Sequence, residues 1–179
     1  MSYKTLIKNW HAKAAEEDYF SKFVFEYLAF IAYLKTQLYT SDLKDRQAIQ
    51  RLKQDESIRS RYLLKIQSLR SLKQDWEHIK QELDRTRFGN ASNDLNNVEE
   101  IEWWNCSREH LNQMTQAERD KLKGVIHSLD DWENMVEFWH SIRNNLFHGA
   151  KDPDRKRDQF AVKYGYLTLK ELMEILLNE

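Results

Sequence analysis

Residues that interrupt helices are scarce in this 179-residue sequence, which contains four glycines and one proline. Glycine and proline destabilise the interior of an α-helix more than any other residue. A chain with so few of them, and with many Lys, Glu, Leu, Gln and Arg residues, favours long helices. We therefore expect an all-α fold in a single domain over 1–179. The hydrophobic content of 41% is enough for a core at this length.

The composition also limits the class of protein. The net charge of −1 argues against a protein that coats nucleic acid through its overall charge, although it allows a local basic site. The single cysteine, Cys106, cannot form an internal disulfide, which favours a reducing compartment. The longest apolar run, 27–34, is far shorter than the ~20 residues of a membrane span, and the N-terminus does not read as a signal peptide. We expect a cytoplasmic protein with no membrane contact.

Hydrophobic periodicity predicts a series of helices. The expected helices span 3–16, 17–39, 43–54, 58–87, 115–129, 131–147 and a last segment that ends near 177. The second is apolar on nearly every side, which is typical of a helix in the middle of an up-and-down bundle. Lys22 and Glu26 interrupt it, and each requires a partner or an exposed position.

Residues 89–113 differ from the rest because they are rich in asparagine and serine and contain the adjacent pair Trp103 and Trp104. We interpret this segment as an irregular insertion in the bundle. Its tryptophans either anchor the insertion to the core or stack on nucleic-acid bases. Thr115 and Glu118 then have the spacing of a capping box, which predicts the start of a helix.

The predicted helix 131–147 carries polar residues in an unexpected place. On a helical wheel its apolar residues, Phe147 among them, fill an arc of roughly 180°, and Arg143 lies inside that arc. An arginine there requires an anion, a carbonyl, a cleft or a core acid, or it reaches the surface along its aliphatic stem. A second row, at spacings of four along the border of the polar face, consists of His140, Asn144 and His148.

Glu137 and His140 match the Glu-x-x-His pattern of di-iron bundles. Such sites need a second copy of the pattern and two further carboxylates, and we find no second copy in the sequence. We therefore interpret these two residues as a surface pair and expect no metal and no cofactor.

The stretch from Arg143 to Gly149 reads Arg-Asn-Asn-Leu-Phe-His-Gly. An arginine, four residues and a histidine, with a polar residue directly after the arginine, resembles the signature of the HEPN superfamily (higher eukaryotes and prokaryotes nucleotide-binding). The flanking stretch SIRNNLFHGAKDPDRKRDQFAV and the aromatic segment DYFSKFVFEYLAFIAYL are similar to the motif region and the first core helix of bacterial members. Ile31 departs from the asparagine that this helix often carries.

The resemblance implies a HEPN-like helical bundle and a metal-independent endoribonuclease that acts as a toxin or in defence against foreign genetic elements. It assigns the catalytic roles to Arg143, Asn144 and His148. Histidine suits the deprotonation of an RNA 2′-hydroxyl near neutral pH, and the arginine fork suits a phosphate on which negative charge builds up. Asn144 then orients the histidine or the phosphate.

Arg143 and His148 point about 140° apart on an ideal helix, so one helix face does not bring them together. Either the last turn is distorted, or Arg143 reaches out, or two chains compose the site. In the family the motif helices of two protomers meet across a cleft, so the resemblance implies a homodimer with a composite active site. It also implies RNA as the substrate and a nucleotidyltransferase-like antitoxin as a further partner.

A basic loop follows the motif, and its cations are Lys151, Arg155, Lys156 and Arg157. They either steer the RNA backbone towards the site or belong to a solvated loop that its own aspartates neutralise. Two alternatives to the ribonuclease are a non-catalytic HEPN module that binds RNA, nucleotide or a protein, and a helical interaction protein in which the motif is a coincidence.

Overall fold

The computed structural model describes residues 3–15, 18–89, 112–118, 124–149, 151–152 and 154–178 of the chain. Within these ranges every regular element is a helix, so the expected all-α class is confirmed. The elements are α1 Tyr3–Ala14, α2 Tyr19–Tyr33, a π-helix Leu34–Leu38, α3 Asp45–Lys53, α4 Glu56–Ser68, α5 Arg70–Arg85, α6 Trp132–Phe147 and α7 Lys156–Leu177. The insertion predicted at 89–113, with Trp103 and Trp104, lies almost entirely outside the described residues.

The long helix predicted over 58–87 is two helices, because the chain leaves the helical conformation at Leu69. This residue has φ −103° and ψ 104°, which are extended values. Its amide still donates to the Lys65 carbonyl at 2.8 Å, so α4 closes its last turn before α5 begins. Neither glycine nor proline marks this break, and the apolar periodicity continues through it.

The helix predicted over 17–39 changes form near its end. Its last turn is the π-helix Leu34–Leu38, which closes when the Tyr39 amide donates to the first carbonyl of that element at 2.8 Å. Short π-helical turns are frequent at functional sites. This one carries Lys35, whose Nζ lies 3.2 Å from a carboxylate oxygen of Asp45 at the start of α3.

The capping box at Thr115 is confirmed, because its amide donates to Glu118 Oε2 at 2.8 Å and the Glu118 amide donates to Thr115 Oγ1 at 3.3 Å. The helix predicted beyond it is wrong in its second part, because 124–131 is not helical. Gly124 has φ +68°, and a Cβ there would lie 2.6 Å from the Phe88 carbonyl oxygen. This close approach needs a glycine in the left-handed conformation, so the chain at Gly124 is not helical.

The core is centred on Trp139 of α6. Its ring centroid lies 5.7 Å from those of Trp76 and Tyr62 and 6.1 Å from that of Trp132. The polar edges are satisfied, since the Trp139 indole donates to Thr168 Oγ1 at 2.9 Å and the Tyr62 hydroxyl donates to the Thr168 carbonyl at 2.8 Å. These bonds join α6, α4 and α7, and α6 also packs against α3.

α2 packs against α1 and α7, and both charges that interrupt its apolar surface have partners. Glu26 is fully buried, and its Oε1 lies 2.7 Å from His11 Nδ1 in α1. Burial raises the pKa of Glu26, and the hydrogen bond to Glu26 raises the pKa of His11. The Lys22 ammonium lies over the rings of Tyr19 and Tyr166, at 5.2 and 5.6 Å from their centroids.

Length alone would let α7, with 22 residues, cross a bilayer. It carries charged side chains from Lys156 to Glu174. Among the described helices, none is both long enough and apolar enough to span a membrane.

Candidate functional site

α6 is buried on nearly all sides, whereas the sequence predicts an apolar arc beside a polar face. Every residue from Asn134 to Ile142 is buried, because α3 and α7 both pack against this helix. Its polar residues therefore need partners from other helices. The interpretation of Glu137 and His140 as a surface pair is wrong, since their exposed fractions are 0% and 5%.

The Glu137 carboxylate lies between two cations of α3. Arg46 Nη1 is 2.6 Å from its Oε1, and Lys53 Nζ is 2.5 Å from its Oε2. Burial alone would raise the pKa of Glu137, but the charges of Lys53 and Arg46 hold it below its ordinary value. Glu137 is thus a buried anion that joins α6 to α3. Across the described residues, no three His, Cys, Asp or Glu side chains are grouped as metal ligands.

His140 joins α6 to α2. Its Nδ1 lies 2.9 Å from the Tyr27 hydroxyl oxygen, and both side chains are buried. Burial lowers the pKa of His140 from 6.5 to about 4, and burial raises the pKa of Tyr27. At neutral pH the imidazole is therefore uncharged. Through its contact with Tyr27, His140 helps to fix the position of α6, which carries the motif.

Arg143 lies where the burial of α6 ends, and 28% of its side chain is exposed. Its Nη1 donates to Asn144 Oδ1 at 3.0 Å, and its Nη2 donates to Asp45 Oδ2 at 3.4 Å. The guanidinium carbon lies 4.8 Å from the centroid of the Phe147 ring. Arg143 therefore has the acidic partner that its place in the apolar arc requires, and it remains partly accessible.

The two asparagines after Arg143 differ in their surroundings. Asn144 is partly exposed and accepts the Arg143 hydrogen bond. Asn145 is buried, and its Nδ2 donates to the Gly89 carbonyl at 2.9 Å. Asn145 therefore attaches α6 to the chain beyond α5, a structural role that the sequence pattern does not distinguish from that of its neighbour.

His148 directly follows α6, as predicted, and is partly exposed. Its amide donates to the Asn144 carbonyl at 3.0 Å, and Gly149 has φ +68°, which is typical of the residue after a helix. Within the described part of the chain, no hydrogen bond joins the His148 ring to Arg143 or to any other side chain. The two motif side chains therefore do not pair within one protomer.

Phe147 is 57% exposed, so the prediction that it belongs to the core-facing arc is wrong. α6 extends past the core at this point, and the aromatic ring supports the Arg143 guanidinium instead of filling the interior. It borders an open groove of about 400 Å³ between α2 and the end of α6. We call this the apolar groove, and its lining residues are Phe20, Ser21, Val24, Phe25, Leu146 and Phe147.

The side chain of the first cation of the basic loop is largely covered. Lys151 Nζ lies 2.5 Å from Asp158 Oδ1, with 9% of the lysine side chain and 4% of the aspartate side chain exposed. Its ammonium also lies 4.4 Å from the centroid of the Phe88 ring. Burial lowers the pKa of Lys151, and the hydrogen bond to Asp158 opposes that effect. This lysine fixes the loop to the start of α7.

The remaining cations of the loop divide into two kinds. Arg157 donates through Nη2 to the carbonyl oxygens of Thr86 and Arg87, at 2.7 and 2.5 Å, and so holds the chain that follows α5. Arg155 and Lys156 are exposed. The structure therefore leaves Arg155 and Lys156 accessible to a ligand, while Lys151 and Arg157 are occupied by contacts within the protein.

Sequence reasoning misses the α3 residues that organise this region, which are Asp45, Arg46 and Lys53. In the sequence α3 resembles a short polar helix without a motif. The available signal is indirect: Arg143 and Glu137 lie on a helix with a large apolar surface and demand partners of opposite charge. That signal predicts the existence of partners without locating them.

No family model matches the sequence, and no curated protein and no solved structure matches it either. The HEPN resemblance therefore depends on the motif residues and their flanks, and the activity that it implies is a proposal.

Proposed function

We propose that the protein is a metal-independent endoribonuclease of the HEPN type, with a role as a toxin or in defence. The observation that carries the proposal is the position of Arg143. Three neighbours hold its guanidinium, and 28% of the side chain stays exposed on the helix that leads directly to His148. A planar guanidinium held at such a border is suited to bind a phosphate with two parallel hydrogen bonds.

In the proposed reaction His148 removes the proton from an RNA 2′-hydroxyl, and the resulting oxygen attacks the adjacent phosphorus. A 2′-O–P bond forms while the P–O5′ bond breaks, and the leaving 5′-oxygen takes a proton from water. The products are a 2′,3′-cyclic phosphate and a 5′-hydroxyl end. Arg143 stabilises the charge that builds up on the non-bridging oxygens, and Asn144 orients the guanidinium through its hydrogen bond.

Asp45 is the counter-ion that a substrate phosphate displaces from Arg143. Its 3.4 Å distance is long for a charge-assisted hydrogen bond, which is ordinarily about 2.8 Å. Asp45 also has a second partner in Lys35, so its charge remains compensated when Arg143 turns to the substrate. These two features support an exchangeable ion pair at the site.

A homodimer with a composite active site is part of the proposal. Its support is that Arg143 and His148 do not pair within one chain and that the exposed Phe147 borders the apolar groove. A second copy related by a two-fold axis would cover both apolar grooves and bring the Arg143 of each protomer towards the His148 of its partner. The nucleotidyltransferase-like antitoxin is proposed from the resemblance alone.

A non-catalytic module that binds RNA, a nucleotide or a protein is the second candidate function. It is favoured by the ion pair with Asp45, which already neutralises Arg143. It is also favoured by the lack of a hydrogen-bond partner for the His148 ring within the ranges that the structure describes. Among the described residues, none donates or accepts a hydrogen bond that would fix the tautomer of this ring for work as a base.

Cleavage of a mixed RNA pool in EDTA tests the proposal. We would compare the wild-type protein with Arg143→Ala, His148→Ala and the control Arg59→Ala. Arg59 is partly exposed, and its ion pair among the described residues is with Glu56 at the start of α4. We expect 2′,3′-cyclic phosphate ends from the wild type and the control. Each motif variant should lose at least about 100-fold in rate, because each removes a catalytic group.

Folding and sedimentation of all four proteins would be measured in parallel, so that a loss of rate is assigned to chemistry. Cleavage that needs a divalent metal, or that survives in both motif variants, would contradict the ribonuclease proposal. RNA binding without cleavage by the wild type would favour the non-catalytic module.

A further inference from the structure

A second groove lies between the start of α2 and the first half of α7, and the ribonuclease motif does not include it. It is open to solvent and has a volume of about 600 Å³, which is enough for a nucleotide. We call it the aromatic–lysine groove, and its lining residues are Asp18, Tyr19, Phe20, Lys156, Gln159, Phe160, Lys163 and Tyr164.

The aromatic rings of this groove are accessible and close to positive charge. Phe160 and Tyr164 are a turn apart on α7, with ring centroids 4.5 Å apart, and Tyr19 faces them from α2 with 39% exposure. The Lys163 ammonium lies 5.7 Å from the Tyr19 ring centroid and 5.4 Å from that of Tyr164. Lys156 is exposed at the start of α7. Rings for stacking and ammonium groups for a phosphate therefore line the same groove.

Asp18 is the acid among the described lining residues, and its carboxylate is already engaged. It accepts hydrogen bonds from the Phe20 amide at 2.9 Å, the Ser21 amide at 3.3 Å and the Ser21 hydroxyl at 2.7 Å. These bonds cap the first turn of α2. Among the described residues, neither Lys156 nor Lys163 forms an ion pair with a carboxylate, although the charge of Lys163 acts on Asp75 in α5. With Asp18 engaged in its cap, the groove favours an anion.

Phe20 lines both grooves, so the aromatic–lysine groove borders the apolar groove, which Phe147 also lines. Arg143 lies over the Phe147 ring. The aromatic–lysine groove thus lies next to the apolar groove that the second protomer would cover, and a strand bound at Arg143 would reach it around that contact. A free small molecule has no need of a site close to Arg143, so this proximity favours a polymer as the ligand.

We propose that the aromatic–lysine groove binds an unpaired nucleotide of single-stranded RNA beyond the one that is cleaved. The base stacks on Tyr19, Phe160 or Tyr164, and Lys156 and Lys163 bind the phosphate. The identification of the polymer as RNA rests on the proposed function, whereas the nucleotide chemistry of the groove stands on its own contacts. Stacking on ring faces makes the groove tolerant of sequence and selective for unpaired bases.

The test uses binding without cleavage, so that it does not depend on catalysis. A fluorescein-labelled hexamer of 2′-O-methyl adenylate cannot be cut, because it lacks the attacking hydroxyl. We would titrate it with the wild-type full chain, with Tyr19→Ala and Lys163→Gln, and with the control Lys170→Gln. Lys170 lies two turns further along the same face of α7 and pairs with Glu174 outside the groove.

We expect Tyr19→Ala and Lys163→Gln each to weaken binding roughly tenfold, in line with the loss of one stacked base or one phosphate contact. Lys170→Gln should bind as the wild type does, and a duplex of the same length should bind more weakly. Competition with adenosine monophosphate distinguishes a site for a nucleotide within an RNA chain from a site for a free nucleotide. Weak competition supports the RNA chain, and displacement at equal concentration indicates a free-nucleotide site and overturns the RNA assignment.

Equal binding by all four proteins would overturn the groove as a site, and so would an equal loss in Lys170→Gln, which would indicate unspecific charge. Wild-type binding that depends on Tyr19 and Lys163 but occurs in a protein without ribonuclease activity would retain this inference and reject the proposed function. If the protein cleaves long RNA but the groove variants bind as the wild type does, the proposed function is retained and this inference is rejected.

Discussion

Glu137 keeps its negative charge in the interior, with none of its side chain exposed. Replacing it by glutamine would preserve the volume but leave Lys53, which is 8% exposed, without its counter-ion. Breaking a buried pair in this way costs about 3 kcal/mol. We therefore expect Glu137→Gln to lower the free energy of unfolding by about that amount in urea titrations.

Glu56→Gln is the matched control, because this glutamate forms an exposed pair with Arg59 at the start of α4. Such surface pairs contribute less than about 1 kcal/mol. Similar losses in the two variants would contradict the view that burial makes the Glu137 pair important.

His140 makes stability depend on pH. Burial lowers its pKa from 6.5 to about 4, so between these values the unfolded chain binds a proton that the folded chain does not. The stability contributed by neutral His140 is therefore present above pH 6.5 and is lost as the pH falls towards about 4. The slope approaches about 1.4 kcal/mol per pH unit.

We expect His140→Gln to remove this part of the pH dependence, measured by urea unfolding across the same range. The His11–Glu26 pair acts in the opposite direction, since the pKa values of both groups are raised on folding. That pair is present in both proteins, so it cancels in the comparison. Equal slopes for wild type and variant would mean that folding does not lower the pKa of His140.

At the residue scale the sequence singles out candidate side chains but does not predict their environment. Arg143 and His148 are recognisable from their spacing, and the demand of Arg143 for an acid follows from the wheel. The burial of Glu137 and the identity of Asp45 depend on α3, which lies about ninety positions earlier in the chain. Contacts over such separations leave no periodic trace in a single sequence.

Helix packing at the α2–α6–α7 crossing depends on Gly165. A Cβ at this position would lie 2.5 Å from Ile142 Cδ1 and 3.1 Å from Phe23 Cε2. Alanine gains about 1 kcal/mol of helix propensity, but overpacking costs roughly 1–3 kcal/mol. Because Phe23 and Ile142 are fully buried, we expect Gly165→Ala to destabilise the protein by about 1 kcal/mol.

A double-mutant cycle with Ile142→Val tests the cause. Removing Cδ1 makes room for the new methyl group, so the double variant should be more stable than the sum of the two single changes by about 1 kcal/mol. Thermal or urea unfolding of the four proteins gives this coupling energy. Additive effects would show that the methyl group meets no steric conflict.

At the element scale, helix existence is predictable and helix ends are less so. Gly124 is visible in the sequence, but the close approach of the Phe88 carbonyl that requires a glycine there is not. Leu69 ends α4 although leucine is a strong helix former, so tertiary packing overrides local preference there. The π-helix at Leu34–Leu38 likewise has no local signal, because its two leucines keep the spacing of four that an α-helix also has.

At the scale of the whole molecule, the composite site predicts complementation between two inactive variants. In a mixed dimer of Arg143→Ala and His148→Ala chains, one of the two shared sites keeps both residues and the other loses both. Random assortment then restores about a quarter of wild-type activity. Mixing the chains after unfolding and refolding, with cleavage as the readout, tests this.

Sedimentation of the mixture would verify that the variants dimerise. An absence of recovery in a dimeric mixture would contradict the shared site and favour a site within one protomer. A second prediction concerns the dimer itself. Leu146 lines the apolar groove, so Leu146→Glu should weaken a dimer that covers this groove.

The Arg143–Asp45 pair has a consequence for turnover. Under the proposed function, the guanidinium exchanges one anion for another when RNA arrives, and Asp45 takes it back when the cyclic phosphate leaves. The resident carboxylate thus competes with product as well as with substrate. Because of that competition we expect the product to bind weakly. The cut strand should then leave faster than it would from an arginine with no internal counter-ion.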